Sequence, residues 1–169
     1  SLVQQDLVDA GFLGKKTGRG FFSYLDGAAK VLPGTAPAQA APTDIVIYGQ
    51  TAAAQALATR LQAKGLAFTK VVAMGDTLAT TGGATLRITD GRTATRCAFE
   101  THTPNTVLID LALDYNKATR LAIAVASQCD PSAANSAIGL LQAAGYSVSQ
   151  LHDIPGLILM AWAINAFTN

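Results

Sequence analysis

The sequence has 169 residues and a mass of 17.4 kDa; it is 50% hydrophobic, 14% charged and carries a formal net charge of +1. That balance excludes a disordered chain and leaves no electrostatic footprint for nucleic acid or anionic lipid. Alanine occurs 32 times, aspartate 10 times and glutamate once, at Glu100, so a pair of catalytic glutamates is excluded and any chemistry must use Asp, His or a cofactor.

The first 26 residues read as the tail of another domain. Leu2, Val3, Leu7 and Val8 recur at helical spacing, Gly11-Phe12-Leu13-Gly14 breaks the helix, and Lys15-Lys16-Thr17-Gly18-Arg19-Gly20 leads into the aromatic run Phe21-Phe22-Ser23-Tyr24. Residues 27–43 are rich in Ala, Pro and Gly without periodicity, the composition of a linker. From Asp44 the pattern becomes α/β. Ile45–Tyr48 is a short buried strand ended by Gly49, Thr51–Ala63 a helix stopped by Lys64-Gly65, and Phe68–Met74 a second strand. Residues 84–100 hold two β-like runs, TLRIT and TRCAF, around the turn signal Asp90-Gly91, which predicts an antiparallel hairpin. Val107–Leu111 and Leu121–Val125 are two further buried strands. A helix over Pro131–Ala144 stops at Gly145, Ser147–Leu151 is a last strand, and Asp153-Ile154-Pro155-Gly156 is a turn. The expected fold is α/β: a reduced Rossmann-like, mainly parallel sheet with an antiparallel hairpin insertion, flanked by helical stubs.

The ends and the cysteines bound location and redox chemistry. No secretory pattern opens the sequence, and its longest apolar stretch, Ile154 to Phe167, is interrupted by Pro155, Gly156 and Asn165. That stretch falls short of the roughly 20 residues a bilayer requires. A cytoplasmic protein with no membrane or nucleic-acid partner is expected. Cys97 and Cys129 have neither CxxC spacing nor a nearby His, so they read as reduced small hydrophobes, and no metal site is expected.

The first strand, turn and helix stand where a dinucleotide-binding fold carries GxGxxG; the three slots here are Gly49, Thr51 and Ala54. Gly49 keeps the tight turn and Ala54 still allows close helix packing. Thr51 puts a β-branched side chain where the backbone must approach a pyrophosphate. Asp76, after the second strand, is near the place of a ribose-binding acid, and Gly75-Asp76 reads equally as a plain turn. His102 and His152 lie in loop signatures with no Ser or Cys at triad spacing. Lys15, Lys16 and Arg19 form either a basic Gly-rich turn or a contact for phosphate or coenzyme A, although the Walker spacing is absent.

Two runs together resemble a known family. Leu7 to Tyr24, LVDAGFLGKKTGRGFFSY, resembles the signature that ends the C-terminal helical domain of 3-hydroxyacyl-CoA dehydrogenases. Arg120–Val125, the helix from Pro131, Gly145 and Asp153-Ile154-Pro155-Gly156-Leu157-Ile158 resemble the end of that family's NAD-binding domain. The order of these parts is similar to the long bacterial 3-hydroxybutyryl- or 3-hydroxyadipyl-CoA dehydrogenases. There a complete unit is followed by a reduced Rossmann-like domain and a second helical domain.

The resemblance implies a middle fragment: residues 1–26 the tail of a helical domain, 27–43 a linker, 44–154 the reduced domain and 155–169 the start of a second helical domain. It implies a parent that oxidises 3-hydroxyacyl-CoA to 3-ketoacyl-CoA with NAD, in fatty-acid or phenylacetate catabolism. In the family a His oriented by a Glu takes the hydroxyl proton. On this sequence the His slot falls near Leu111 and the Glu slot at Ile123, with Asn116 a displaced counterpart of the family Asn. The domain is therefore expected to be catalytically silent and to bind no NAD itself. Its expected partners are the rest of the parent, the acyl-CoA bound there, and a second copy packed on the apolar helix Leu157–Asn169. An acyl-CoA- or protein-binding adaptor and an intact NAD-binding domain are the alternatives.

Overall fold

The computed structural model describes residues 6, 8–19, 34–73 and 75–155. Two compact units divide the chain, Ser1–Leu32 and Pro33–Asn169, so the division falls ahead of the compositional change near residue 43. The aromatic run Phe21–Tyr24 and the helix expected over Leu157–Asn169 lie outside the described residues.

In the first unit, the helical residues Val8 and Asp9 end at Gly11, whose φ of 72° is the left-handed conformation glycine adopts without strain. The basic run then closes on itself. A single 3-10 turn, Lys15–Thr17, is bracketed by an antiparallel bridge between Gly14 and Arg19. Thr17 Oγ1 accepts from the Leu13 amide at 3.0 Å and donates to the Arg19 carbonyl at 2.9 Å.

The second unit is a seven-stranded sheet with three helices among its described residues. The strands are β1 (Val46–Tyr48), β2 (Thr69–Val71), β3 (Thr77–Thr81), β4 (Ala84–Ile88), β5 (Thr106–Ile109), β6 (Arg120–Val125) and β7 (Ser147–Leu151). The helices are α1 (Ala52–Ala63), α2 (Ala94–Glu100) and α3 (Pro131–Ala143). The spatial order is β2-β1-β3-β4-β5-β6-β7. Sequence-readable caps set the two long helices. Thr51 Oγ1 accepts from the Ala54 amide, Asp130 caps α3 with Pro131 next, and Gly65 and Gly145 follow the helix ends with positive φ.

The sheet is mixed, since β1–β3, β3–β4 and β5–β6 pair antiparallel while β1–β2, β4–β5 and β6–β7 pair parallel. A parallel return needs a crossover of about a dozen residues or more, usually a helix. Among the described residues the links after β2, β3 and β5 carry none, and each reverses the chain. The hairpin expected over 84–100 around Asp90-Gly91 does not form, and an antiparallel hairpin lies earlier in the chain instead. It is β3–β4, turning at Gly82-Gly83, both at positive φ (52° and 77°) as a type I′ turn requires. Asp44 clamps that turn, accepting from the Gly82 amide at 2.8 Å and from Thr81 Oγ1 at 3.1 Å. The run TRCAF is not a strand but part of α2. Thr93 caps it through the Arg96 amide, and Ala94, Cys97 and Ala98 bury one face at helical spacing.

Alternate residues of β5 show how the layers are divided. Val107 and Ile109 join the core beneath α1 and α3, whereas Leu108 joins a second core with α2, Ala124 and Ala126 on the opposite face. Residues 34–43, of linker composition, lie along α3 and β7. The Ala36 amide donates to the Val148 carbonyl at 2.7 Å, and Gln142 accepts from the Gln39 amide at 2.8 Å while donating to the carbonyls of Ala36 and Pro37.

Candidate functional site

The carboxyl end of β1 is where an open α/β sheet binds a nucleotide, in the crevice between neighbouring parallel strands. Gly49 makes the turn there with φ 72°, and Thr51 and Ala54 open α1 behind it. Three features of this end do not fit a dinucleotide. The strand beside β1 opposite β2 is β3, which runs antiparallel, Val46 facing Thr80 and Ile47 facing Ala79. Both β2 and β1 end at this edge and β3 begins there, with β1 between them, so the link from Val71 to Thr77 passes over the carboxyl end of β1. A Cβ built on Gly49 would already stand 3.4 Å from the Ala73 carbonyl oxygen of that link. Thr51 supplies the second feature. Its hydroxyl takes the Ala54 amide, at 3.2 Å, one of the helix donors that would otherwise face an anion.

Asp76 supplies the third. Its carboxylate is ion-paired with Arg87 of β4, whose guanidinium is buried, and lies 4.0 Å from Arg92. That ion pair commits one of the two carboxylate oxygens a ribose diol would use. Sequence reasoning missed Arg87 because nothing in TLRIT marks which charge turns inward. A groove of about 380 Å³ runs beside this pair along the sheet face that α2 leaves open, lined by Tyr48, Thr77, Thr80, Thr85, Arg87 and Thr103 among others.

The residues in the family's catalytic slots are brought to opposite situations. Ile123 is fully buried in the core under α3, and Leu111 is half exposed at the end of β5. Asn116 offers its carbonyl to Arg60 at 2.7 Å. Neighbouring Leu111 is Asp110, a buried carboxyl that sequence reasoning passed over. Its Oδ1 accepts from the Leu111 amide at 2.8 Å and its Oδ2 has no partner. Burial pushes this acid above the usual carboxylate range, and it does not line the groove. His102 and His152 are both exposed, in separate loops. Glu100 ends α2 in ion pairs with Arg92 and Arg96, which hold its carboxyl below its ordinary range. Burial raises both thiols, Cys97 and Cys129, so neither is an activated nucleophile. Among the described residues no group of His, Cys, Asp and Glu could hold a metal ion, and no helix is long and apolar enough to cross a membrane.

Lys15, Lys16 and Arg19 lie in the closed turn of the first unit. Lys16 is exposed, and Arg19 stacks 4.4 Å from the Phe12 ring centre. The amides of Leu13, Gly14 and Thr17 already donate within the turn, so these three are not free to cradle a phosphate.

Residues 86–155 match the family described as the 3-hydroxybutyryl-CoA dehydrogenase reduced Rossmann-fold domain. Among solved structures the chain is similar to 3-hydroxybutyryl-CoA dehydrogenase from Escherichia coli K12, with a TM-score of 0.66 and 26% identity over 94% of this chain. The likeness covers 27% of that protein, so this chain spans about a quarter of its length. No curated protein matches the sequence. The family match and the structural likeness agree: residues 86–155 are similar to the reduced Rossmann-fold domain of a 3-hydroxybutyryl-CoA dehydrogenase, and the chain shares the fold of such an enzyme.

Proposed function

We propose that this chain is the structural, catalytically silent Rossmann-type portion of a longer NAD-dependent dehydrogenase. The parent converts a 3-hydroxyacyl-CoA to the 3-ketoacyl-CoA, and the chemistry resides in a separate, complete unit. The observation that carries the reading is the link from β2 to β3 across the carboxyl end of β1. Backbone occupies the crevice a pyrophosphate needs, and the antiparallel β3 removes the parallel neighbour that would form its other wall. Oxidation of a hydroxyl also needs a base within hydrogen-bond reach of its proton. Leu111 and Ile123 can move no proton, and the Asp110 carboxyl is buried and does not line the groove.

Calorimetric titration of NAD into the 169-residue chain tests this. The expected result is no binding heat up to millimolar cofactor. A micromolar dissociation constant, about −8 kcal/mol, would require an intact site and overturn the reading.

A further inference from the structure

The chain leaves the sheet after β7 at Leu151, and two residues later Asp153 reaches back to a helix laid down long before it. Its Oδ1 accepts from the Ala94 amide at 2.6 Å, and its Oδ2 from the Thr95 amide at 2.8 Å and Thr95 Oγ1 at 2.6 Å. These partners are 59 and 58 residues away in sequence. Thr95 Oγ1 also accepts from the Ser127 amide at 2.9 Å, and the Thr95 carbonyl accepts from Gln128 Nε2 at 3.3 Å. One carboxylate thus joins the start of α2, the loop before α3 and the exit from β7.

We propose that Asp153 is a positioning residue: it latches the chain's exit onto α2 and so sets the direction in which the polypeptide leaves this domain. Both carboxylate oxygens are engaged across two successive amides, which holds the side chain in orientation as well as position. The next two residues carry that direction forward. Proline at 155 has a fixed φ and confines Ile154 to extended backbone. The Ile154 amide donates to the His152 carbonyl at 2.9 Å, tightening the turn.

The coupling is reciprocal. A seven-residue helix such as α2 has little stability of its own. Its local cap, Thr93, takes the Arg96 and Cys97 amides and leaves those of Ala94 and Thr95 to Asp153. A negative charge at a helix N-terminus is favourable, and Leu151 packs against the core that α2 covers. The inference deepens the structural role proposed above and rests on it, because a domain that orients the polypeptide beyond it must hold its own exit.

Amide hydrogen exchange on the full chain tests the latch. In the wild type, Ala94, Thr95, Ser127 and Ile154 should exchange at protection factors within about threefold, as members of one opening unit. Asp153→Asn turns one acceptor into a donor and should speed Ala94, Thr95 and Ile154 together by about tenfold or more, with α1 and α3 unchanged. Thr95→Val keeps both amide bonds and should release Ser127 while sparing Ala94; it remains a test if Asp153→Asn fails to fold. Two results would overturn the latch: an Ile154 amide exchanging at the free-peptide rate in the wild type, or one unmoved by Asp153→Asn while Ala94 and Thr95 accelerate. The second would make Asp153 a helix cap and nothing more. NAD binding would overturn the silent reading and leave these exchange rates unaffected, so the two failures are distinguishable.

Discussion

Gly139, inside α3, makes an unusually sharp test because local and tertiary reasoning predict opposite signs. In an exposed helix interior, Gly→Ala stabilises by about 1 kcal/mol, since alanine loses less backbone entropy. Here residues 39 and 40 lie directly on the helix. A Cβ at position 139 overlaps the Ala40 carbonyl oxygen, with the carbonyl carbon 3.2 Å and Gln39 Cβ 3.4 Å away. The obstacle is backbone, so no rotamer change relieves it, and overpacking of this kind costs about 1–3 kcal/mol. Relief by lifting the segment forfeits the bonds Gln142 makes to Gln39, Ala36 and Pro37 and the Ala36–Val148 bond, each worth about 1 kcal/mol net. After the helix gain is subtracted, Gly139→Ala should destabilise by up to about 2 kcal/mol in urea unfolding, with the slope unchanged. Gln142→Ala releases the segment first. In that background Gly139→Ala should turn neutral or stabilising, a coupling of about 2 kcal/mol in a double-mutant cycle. If Gly139→Ala stabilises the unaltered chain by about 1 kcal/mol, residues 34–43 do not lie on α3 and the reasoning fails.

Arg60 and Asp110 give two further tests. Arg60 donates to the carbonyls of Asn116 and Ala118, both at 2.7 Å, and stacks 4.1 Å from the Tyr146 ring centre, so Arg60→Met should cost about 2–3 kcal/mol. Arg60→Lys should recover only part, because an ammonium can reach the two carbonyls that share Nη2 but loses the planar stacking on Tyr146 and the Nη1 contact to the Ala144 carbonyl; full recovery in urea unfolding would refute that geometry. For Asp110, burial raises the folded-state value above the ordinary 3.8, so the folded state binds the proton more tightly than the unfolded one. Its contribution is therefore most favourable at acid pH and is lost as pH rises from the unfolded value through the folded one. Asp110→Asn should stabilise the protein at pH 7 and lose that advantage below about pH 4; a difference independent of pH would refute the buried, unpaired carboxyl.

Much of the second unit is legible in its sequence. Thr51 and Gly65 frame α1, Asp130-Pro131 and Gly145 frame α3, and β7 falls at Ser147–Leu151 as expected, because caps and apolar runs are local signals. The vestigial glycine pattern is equally legible, since a β-branched Thr51 beside a tight turn needs no fold to be recognised. The features that escaped depend on partners far along the chain. The hairpin carries its own signal in Gly82-Gly83, yet Asp90-Gly91 offered a rival turn of equal local quality. Asp44, reaching the Gly82 amide, and Ser136, lying against Gly82, favour the first. The run TRCAF has β-like composition, and it becomes helical because Asp153 supplies two acceptors from 58 and 59 residues away and the sheet takes its Ala94–Cys97–Ala98 face. The low charge and single glutamate exclude one class of chemistry from sequence alone. Only the tertiary structure decided that a backbone link lies over β1, because strand order and direction are properties of the assembled sheet.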